Sequence, residues 1–197
     1  MKRKRHKGEL TFHQKQKRKF NIQLLYEIMS WIFILFAAVF LACVGVWFFF
    51  IKTTMVGSSM EPVLCNGQDV LINRVAYNLS SPERFDVIVF KPNGNKNSHF
   101  YIKRVIGLPG ETIQVKSGKV YINGSLLIND VSDDTKDAGL IEQEMVLEND
   151  EYFVMGDNRS NSEDSRSANI GNVKMGMVEG KAWFRLKSGN YDKQRIK

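Results

Sequence analysis

The chain has 197 residues, 43% of them hydrophobic, with two cysteines and a formal net charge of +7. This length suits one domain, or one domain plus an appendage. The apolar share excludes a mainly disordered chain, and two cysteines exclude a disulfide scaffold. The surplus charge sits at one end: residues 1–20 carry nine Lys or Arg against Glu9 alone, whereas residues 52–197 carry 19 of each sign. A nucleic-acid-binding domain carries its basic charge on its folded surface, so no nucleic-acid partner is expected.

Residues 1–27 read as a basic tail. Ile28–Ile51 follows, 24 residues without a charge (IMSWIFILFAAVFLACVGVWFFFI). At about 1.5 Å per residue such a helix exceeds the roughly 30 Å hydrocarbon core. Trp31 and Trp47 fall near its two ends, where indoles favour the interface. A cleaved signal peptide has an apolar core of about 7–15 residues and then a small-x-small site. The run Lys52-Thr53-Thr54-Met55-Val56 offers no such site. The segment is expected to be an uncleaved, single-pass signal anchor in contact with the lipid bilayer. The charge asymmetry across it places the N-terminus in the cytoplasm and residues 52–197 outside it. Cys43 lies in the span and Cys65 beyond it, so no bridge between them is expected.

Residues 52–197 are expected to form an almost all-β domain. Runs rich in Val, Ile, Tyr and Phe occur at 69–77, 85–90, 100–107, 112–124, 151–156 and 180–186, most of them bounded by Gly, Pro, Asn or Asp. Ser117-Gly118 reads as a tight hairpin turn inside 112–124. The best helix candidate is a short piece near 139–147. Residues 125–150 are acidic and poorly patterned, and read as a loop-rich excursion. There is no internal repeat.

His6 and His13 are in the tail, so His99, in the polar loop NGNKNSH, is the one histidine of the outer body. No His/Cys cluster has metal-ligand spacing and no glycine-rich phosphate loop is present, so neither metal nor cofactor is expected. Three segments are dense in reactive residue types. Gly57-Ser58-Ser59-Met60-Glu61-Pro62 follows the span; its Gly and Pro bend the backbone around a serine, although alone it is a linker whose serines are merely solvated. In Tyr101-Ile102-Lys103-Arg104-Val105, strand alternation puts Lys103 with Tyr101 and Val105 and turns Arg104 the other way. One of the two cations is thereby pushed towards apolar surroundings, where a lysine loses its charge more easily. The alternative is a solvated pair on an edge strand. Gly156–Arg166 (GDNRSNSEDSR) offers hydroxyls, aspartates and arginines that could brace a site or form only a solvated turn.

An anchor followed by Ser59-Met60-Glu61-Pro62, FDVIVF, YIKRVIGLPGE and GDNRSNSEDSR, in that order, closely resembles the bacterial type I signal peptidases. These are membrane-anchored Ser/Lys proteases that remove signal peptides from exported proteins. The resemblance implies a signal-peptidase-like β fold outside the membrane behind one transmembrane helix. It implies Ser59 as nucleophile, Lys103 as general base and Ser162 as the hydroxyl that bonds and orients the lysine amine. Arg104, Asp157, Asp164 and Arg166 would be structural supports. Shallow apolar pockets for an Ala-x-Ala site would be lined by Met55, Met60, Leu64, Tyr101 and Ile102. The oxyanion would be held by the Ser59 backbone N–H and one further donor. Some relatives supply that donor from a serine two positions before the nucleophile, which here is Gly57. Val63 stands where the family usually has threonine, and Lys103 argues against the endoplasmic-reticulum relatives, which have histidine there. The implied partners are signal peptides of exported preproteins and the plasma membrane, with the protein working as a monomer.

Three rival readings differ in what they require. An inactive assembly scaffold of the same fold typically lacks the serine or the lysine, and this chain keeps both. A self-cleaving repressor of the Ser/Lys type needs a DNA-binding helical domain where this chain has its span. A tethered domain that only binds a partner makes Ser59 and Lys103 dispensable.

Overall fold

The computed structural model describes residues 21–78, 80–92, 99–128, 130, 135, 137–187 and 191–196. The chain parts into two compact units between Val44 and Gly45. The N-terminal element is one helix, α1 (Ile22–Phe49), whose large apolar side chains are exposed all round. Ile22–Trp47 is long and apolar enough to cross a membrane, and an apolar helix with no covered face fits a membrane anchor. It starts earlier than the expected Ile28. It also stops earlier, because Phe50 and Ile51 enter a strand, β1 (Phe50–Thr54).

The second unit is mainly antiparallel β. One eight-stranded sheet runs β1, β2 (Asp69–Asn73), β11 (Val178–Arg185), β3 (Val87–Phe90), β4 (Tyr101–Gly107), β9 (Glu151–Met155) and β10 (Val173–Lys174). A short β12 (Gln194–Arg195) also pairs with β11. A four-stranded sheet runs β7 (Ser125–Leu126), β6 (Lys119–Ile122), β5 (Thr112–Lys116) and β8 (Met145–Val146). The β5–β6 hairpin turns at Ser117 (φ 50°) and Gly118 (φ 76°), two left-handed residues of the kind that match the twist of paired strands. The helix expected near 139–147 is a 3-10 turn at Gly139–Ile141 followed by β8. The piece is too short to nucleate an α-helix, and Thr112 and Ile113 of β5 offer Met145 and Val146 an open edge to pair with.

Alternation along β3 and β4 divides the core. Val87, Val89 and Ile102 join Met55, Met60 and Leu64 in one cluster, while Ile88, Phe90 and Val105 join Tyr152 and Val154 in another. β3 is covered on both faces, and its sequence is accordingly a continuous apolar run, VIVF. β4 is also central, flanked by β3 and β9. That position is why its two cations end up inside the protein.

At the far end of β4 the register with β9 slips between Val105 and Gly107. A Cβ at Gly107 would come within 2.7 Å of Leu147 Cδ1 and 3.0 Å of Phe153 Cβ. Gly107→Ala is expected to lower stability by about 1–3 kcal/mol through overpacking, read as a reduced midpoint in denaturant with an unchanged slope.

Candidate active site

The Ser59 turn is built from both ends. Met55 N donates to Gln68 O and Gly67 N donates to Met55 O, each at 2.8 Å, which closes the loop between β1 and β2. Inside it, Met60 and Leu64 are completely buried in the core beneath the sheet, and Leu64 N donates to Met60 O at 2.8 Å. Met60 thus acts as an anchor that sets the adjoining Ser59, half-buried, at the surface of the core.

Lys103, on central β4, is 4% exposed, and its Nζ donates to Ser59 Oγ at 2.6 Å. Burial lowers the amine to about 8, because the charged form loses its hydration. The negative charges of Asp164 and Glu163 act in the opposite direction, and Arg166 opposes them. Among the described residues, no carboxylate is ion-paired with the amine.

Arg104, its neighbour, is 2% exposed and is treated differently. Its Nε and Nη2 donate to the two oxygens of Asp157, each at 2.7 Å, and its Nη1 donates to Phe85 O at 2.8 Å. Both cations of the pair are therefore inside the protein, where the sequence pattern allowed for one. A bidentate carboxylate makes the burial of the guanidinium tolerable.

The segment Gly156–Arg166 forms the wall that faces this dyad. Asp164 receives Arg166 Nε at 2.8 Å and Nη2 at 2.9 Å, Gly156 N at 3.0 Å and the Ser162 hydroxyl at 2.7 Å. Burial alone would raise the Asp164 carboxyl, but these donors outweigh it and hold the group below the usual carboxylate value. Its stabilising contribution is thus present above the unfolded-state pKa and is lost as pH falls through the folded one. The contact expected between Ser162 and Lys103 is not formed: the Ser162 hydroxyl donates to Asp164, and the Lys103 amine is directed to Ser59.

Several residues that carry this arrangement had no role in the sequence reading. A Cβ on Gly156 would collide with both Ser59 O and Ser162 Oγ, so only glycine lets the wall approach the Ser59 turn. Asn158 N donates to Ser59 O at 3.0 Å and its Nδ2 to Ser58 O at 3.2 Å. Asn161 Nδ2 donates to Ser58 Oγ at 2.8 Å. Arg159 is buried, donates to Gly156 O and Thr135 Oγ1, and forms an ion pair with Asp130 of the excursion. The one signal for these residues was the polar density of GDNRSNSEDSR.

An open cleft of about 660 Å³ runs past the dyad. Of the expected pocket residues, Met55, Tyr101 and Ile102 line it together with Ser59, Lys103 and His99. Met60 and Leu64 are not on its wall; both are spent in the core, where large apolar side chains near a turn gain most by burial. Among the described residues, no group of three or more His, Cys, Asp or Glu is placed to hold a metal ion.

Asp157→Ala takes both carboxylate oxygens from a buried guanidinium and is expected to cost about 3–5 kcal/mol in chemical denaturation. The double replacement Arg104→Met with Asp157→Leu is expected to recover most of that loss.

The family described as signal peptidase, peptidase S26, matches residues 28–187. A relative described as probable signal peptidase I-2, from a Synechocystis strain, is 40% identical over 114 residues, covering 55% of this chain and 50% of its own length. Signal peptidase I P of Bacillus subtilis subsp. natto is 33% identical over 149 residues, covering 72% of this chain and 80% of its own. A crystal structure of a signal peptidase I from Enterococcus faecalis has 34% sequence identity and a TM-score of 0.42, covering 52% of this chain and 97% of that one. With a family match that takes in most of the helix, the serine turn, the lysine strand and the Gly156–Arg166 wall, the chain belongs to the signal peptidase family, peptidase S26, among the bacterial type I signal peptidases.

Proposed function

We propose that this chain is a membrane-anchored serine endopeptidase that removes N-terminal signal peptides with a Ser59/Lys103 dyad. The observation that carries the reading is the 2.6 Å contact between Lys103 Nζ and Ser59 Oγ, at a place where burial lowers the amine to about 8. In its neutral form the amine accepts the Ser59 proton as Oγ attacks the scissile carbonyl. The resulting ammonium then protonates the leaving amine, and the neutral lysine next activates the water that hydrolyses the ester. Ser59 N–H has no acceptor among the described residues and is free to stabilise the oxyanion. Asp164 and Arg166 neutralise each other and fix the wall, while Asp157 does the same for Arg104.

The substrate class follows from the cleft and the anchor. Met55 and Ile102 give the cleft beside Ser59 an apolar surface, which suits the small side chains of an Ala-x-Ala site. The charge asymmetry across the apolar segment places residues 1–27 in the cytoplasm and 52–197 outside. Ser59 lies eight residues past Ile51, so the cleft would meet signal peptides at the outer face of the plasma membrane. A monomer suffices, since the dyad and the wall come from one chain.

Ser59→Ala and Lys103→Ala are each expected to abolish cleavage of an Ala-x-Ala preprotein by the detergent-solubilised chain, with folding retained. Full activity in either variant would remove the dyad. The base works only when neutral, so kcat/KM is expected to rise with pH and level off above about 8. A limb that climbs towards 10.5, the ordinary lysine value, would contradict the buried-amine mechanism.

A further inference from the structure

The residue next to the nucleophile carries a hydroxyl that the scheme above leaves unused. Ser58 and Asn161 both line the cleft, and Asn161 Nδ2 donates to Ser58 Oγ at 2.8 Å. An amide nitrogen only donates, so this bond makes the Ser58 oxygen the acceptor and leaves its single proton to be given elsewhere. Among the described residues that proton has no acceptor, and neither does the Ser59 N–H.

Covalent geometry keeps these two donors together. Ser58 Oγ and Ser59 N are joined through Cβ, Cα and the carbonyl carbon, which holds them about 3–4.5 Å apart. The turn that carries them is held on all sides. Gly57 N donates to Asn66 Oδ1 at 2.9 Å and Glu61 N to Ser58 O at 3.2 Å. Asn158 fastens the Ser58 and Ser59 carbonyls from the wall. Gly57, at φ 85°, has no side chain to offer, so a side-chain donor on this turn must come from its neighbour.

We propose that Ser58 is a catalytic residue, its hydroxyl turned by the positioning residue Asn161 to serve as the second oxyanion donor beside the Ser59 N–H. The inference rests on the Ser59/Lys103 reading. As Ser59 Oγ bonds to the scissile carbon, the carbonyl π pair moves onto oxygen, and the Ser58 O–H and Ser59 N–H both donate to it. On collapse the pair returns, the C–N bond breaks, and the leaving amine takes its proton from Lys103. The donor comes from one position before the nucleophile, and the wall residue Asn161 aims it.

The test measures kcat and KM separately for one Ala-x-Ala peptide, with the full chain in detergent and on the pH plateau above the Lys103 limb. Ser58→Ala is expected to lower kcat on the order of 10²-fold with KM and thermal unfolding unchanged. Ser58→Thr, which keeps the hydroxyl, is expected to recover most of the rate. Asn161→Asp, of the same shape, would accept the Ser58 proton instead of orienting it, and is expected to fall about as far as Ser58→Ala. A Ser58→Ala enzyme with wild-type kcat, or one impaired through KM alone, overturns the assignment while leaving the dyad intact. Failure of the wild-type chain to cut would remove the dyad reading and this inference with it.

Discussion

Lys103 and Arg104 are buried side by side on a central strand, and the protein treats the two charges in opposite ways. Arg104 receives a two-pronged carboxylate and remains an ion whose charge is neutralised locally. Lys103 receives a serine hydroxyl and no ion-paired carboxylate among the described residues. Removing an ammonium from water without a counter-charge lowers its pKa, because the neutral form is the one that loses least. The direct result is an amine that is partly neutral near pH 7, which the proposed role as base requires. At pH 7 an amine with a pKa near 8 is neutral about one-tenth of the time, against well under a thousandth for a free lysine.

The remaining architecture keeps that difference in place. β4 is central and covered on both faces, which keeps Lys103 at 4% and Arg104 at 2% exposure, Lys103 at the wall of the cleft. Met60 fixes the serine turn from below, and Gly156 lets the opposing wall close onto it from the side. That wall contains an aspartate close enough to Lys103 to work against its low pKa, and Arg166, Ser162 and Gly156 all donate to it. The same segment reaches outward through Arg159 to Asp130 and Thr135, so the excursion between β7 and β8 is tied to the wall. The polar stretch is therefore a brace for the site.

Much of this was legible in the sequence, for identifiable reasons. The helix declared itself by an uncharged apolar run, and β3, β4, β5, β6 and β9 by β-branched and aromatic runs between turn residues. Ser117-Gly118 marked its hairpin because its two left-handed positions suit that pair. The two-residue strands β7, β8, β10 and β12 were not legible, since so short a segment has no period and owes its pairing to neighbours. For the same reason the end of the helix was misplaced: Phe50 and Ile51 are as apolar as Phe49, and their pairing with Asn73 and Ile72 decides their conformation. At the site, alternation separated the two cations correctly but could not show that both faces of β4 are covered. Met60 and Leu64 were expected in the substrate pockets, and only the fold assigned them to the core. The roles of Gly156, Asn158, Asn161 and Arg159 depend on contacts across the fold, which spacing along the chain does not reveal.

Everything about the dyad thus depends on one proton equilibrium, and that equilibrium can be observed directly. The measurement is an NMR titration of the Lys103 side chain in the folded, lysine-labelled protein, assigned by comparison with Lys103→Met. A midpoint near 8, separated from the exposed lysines, is the predicted result. A midpoint near 10.5, among the other lysines, would mean that the buried amine stays charged and that another group takes the Ser59 proton.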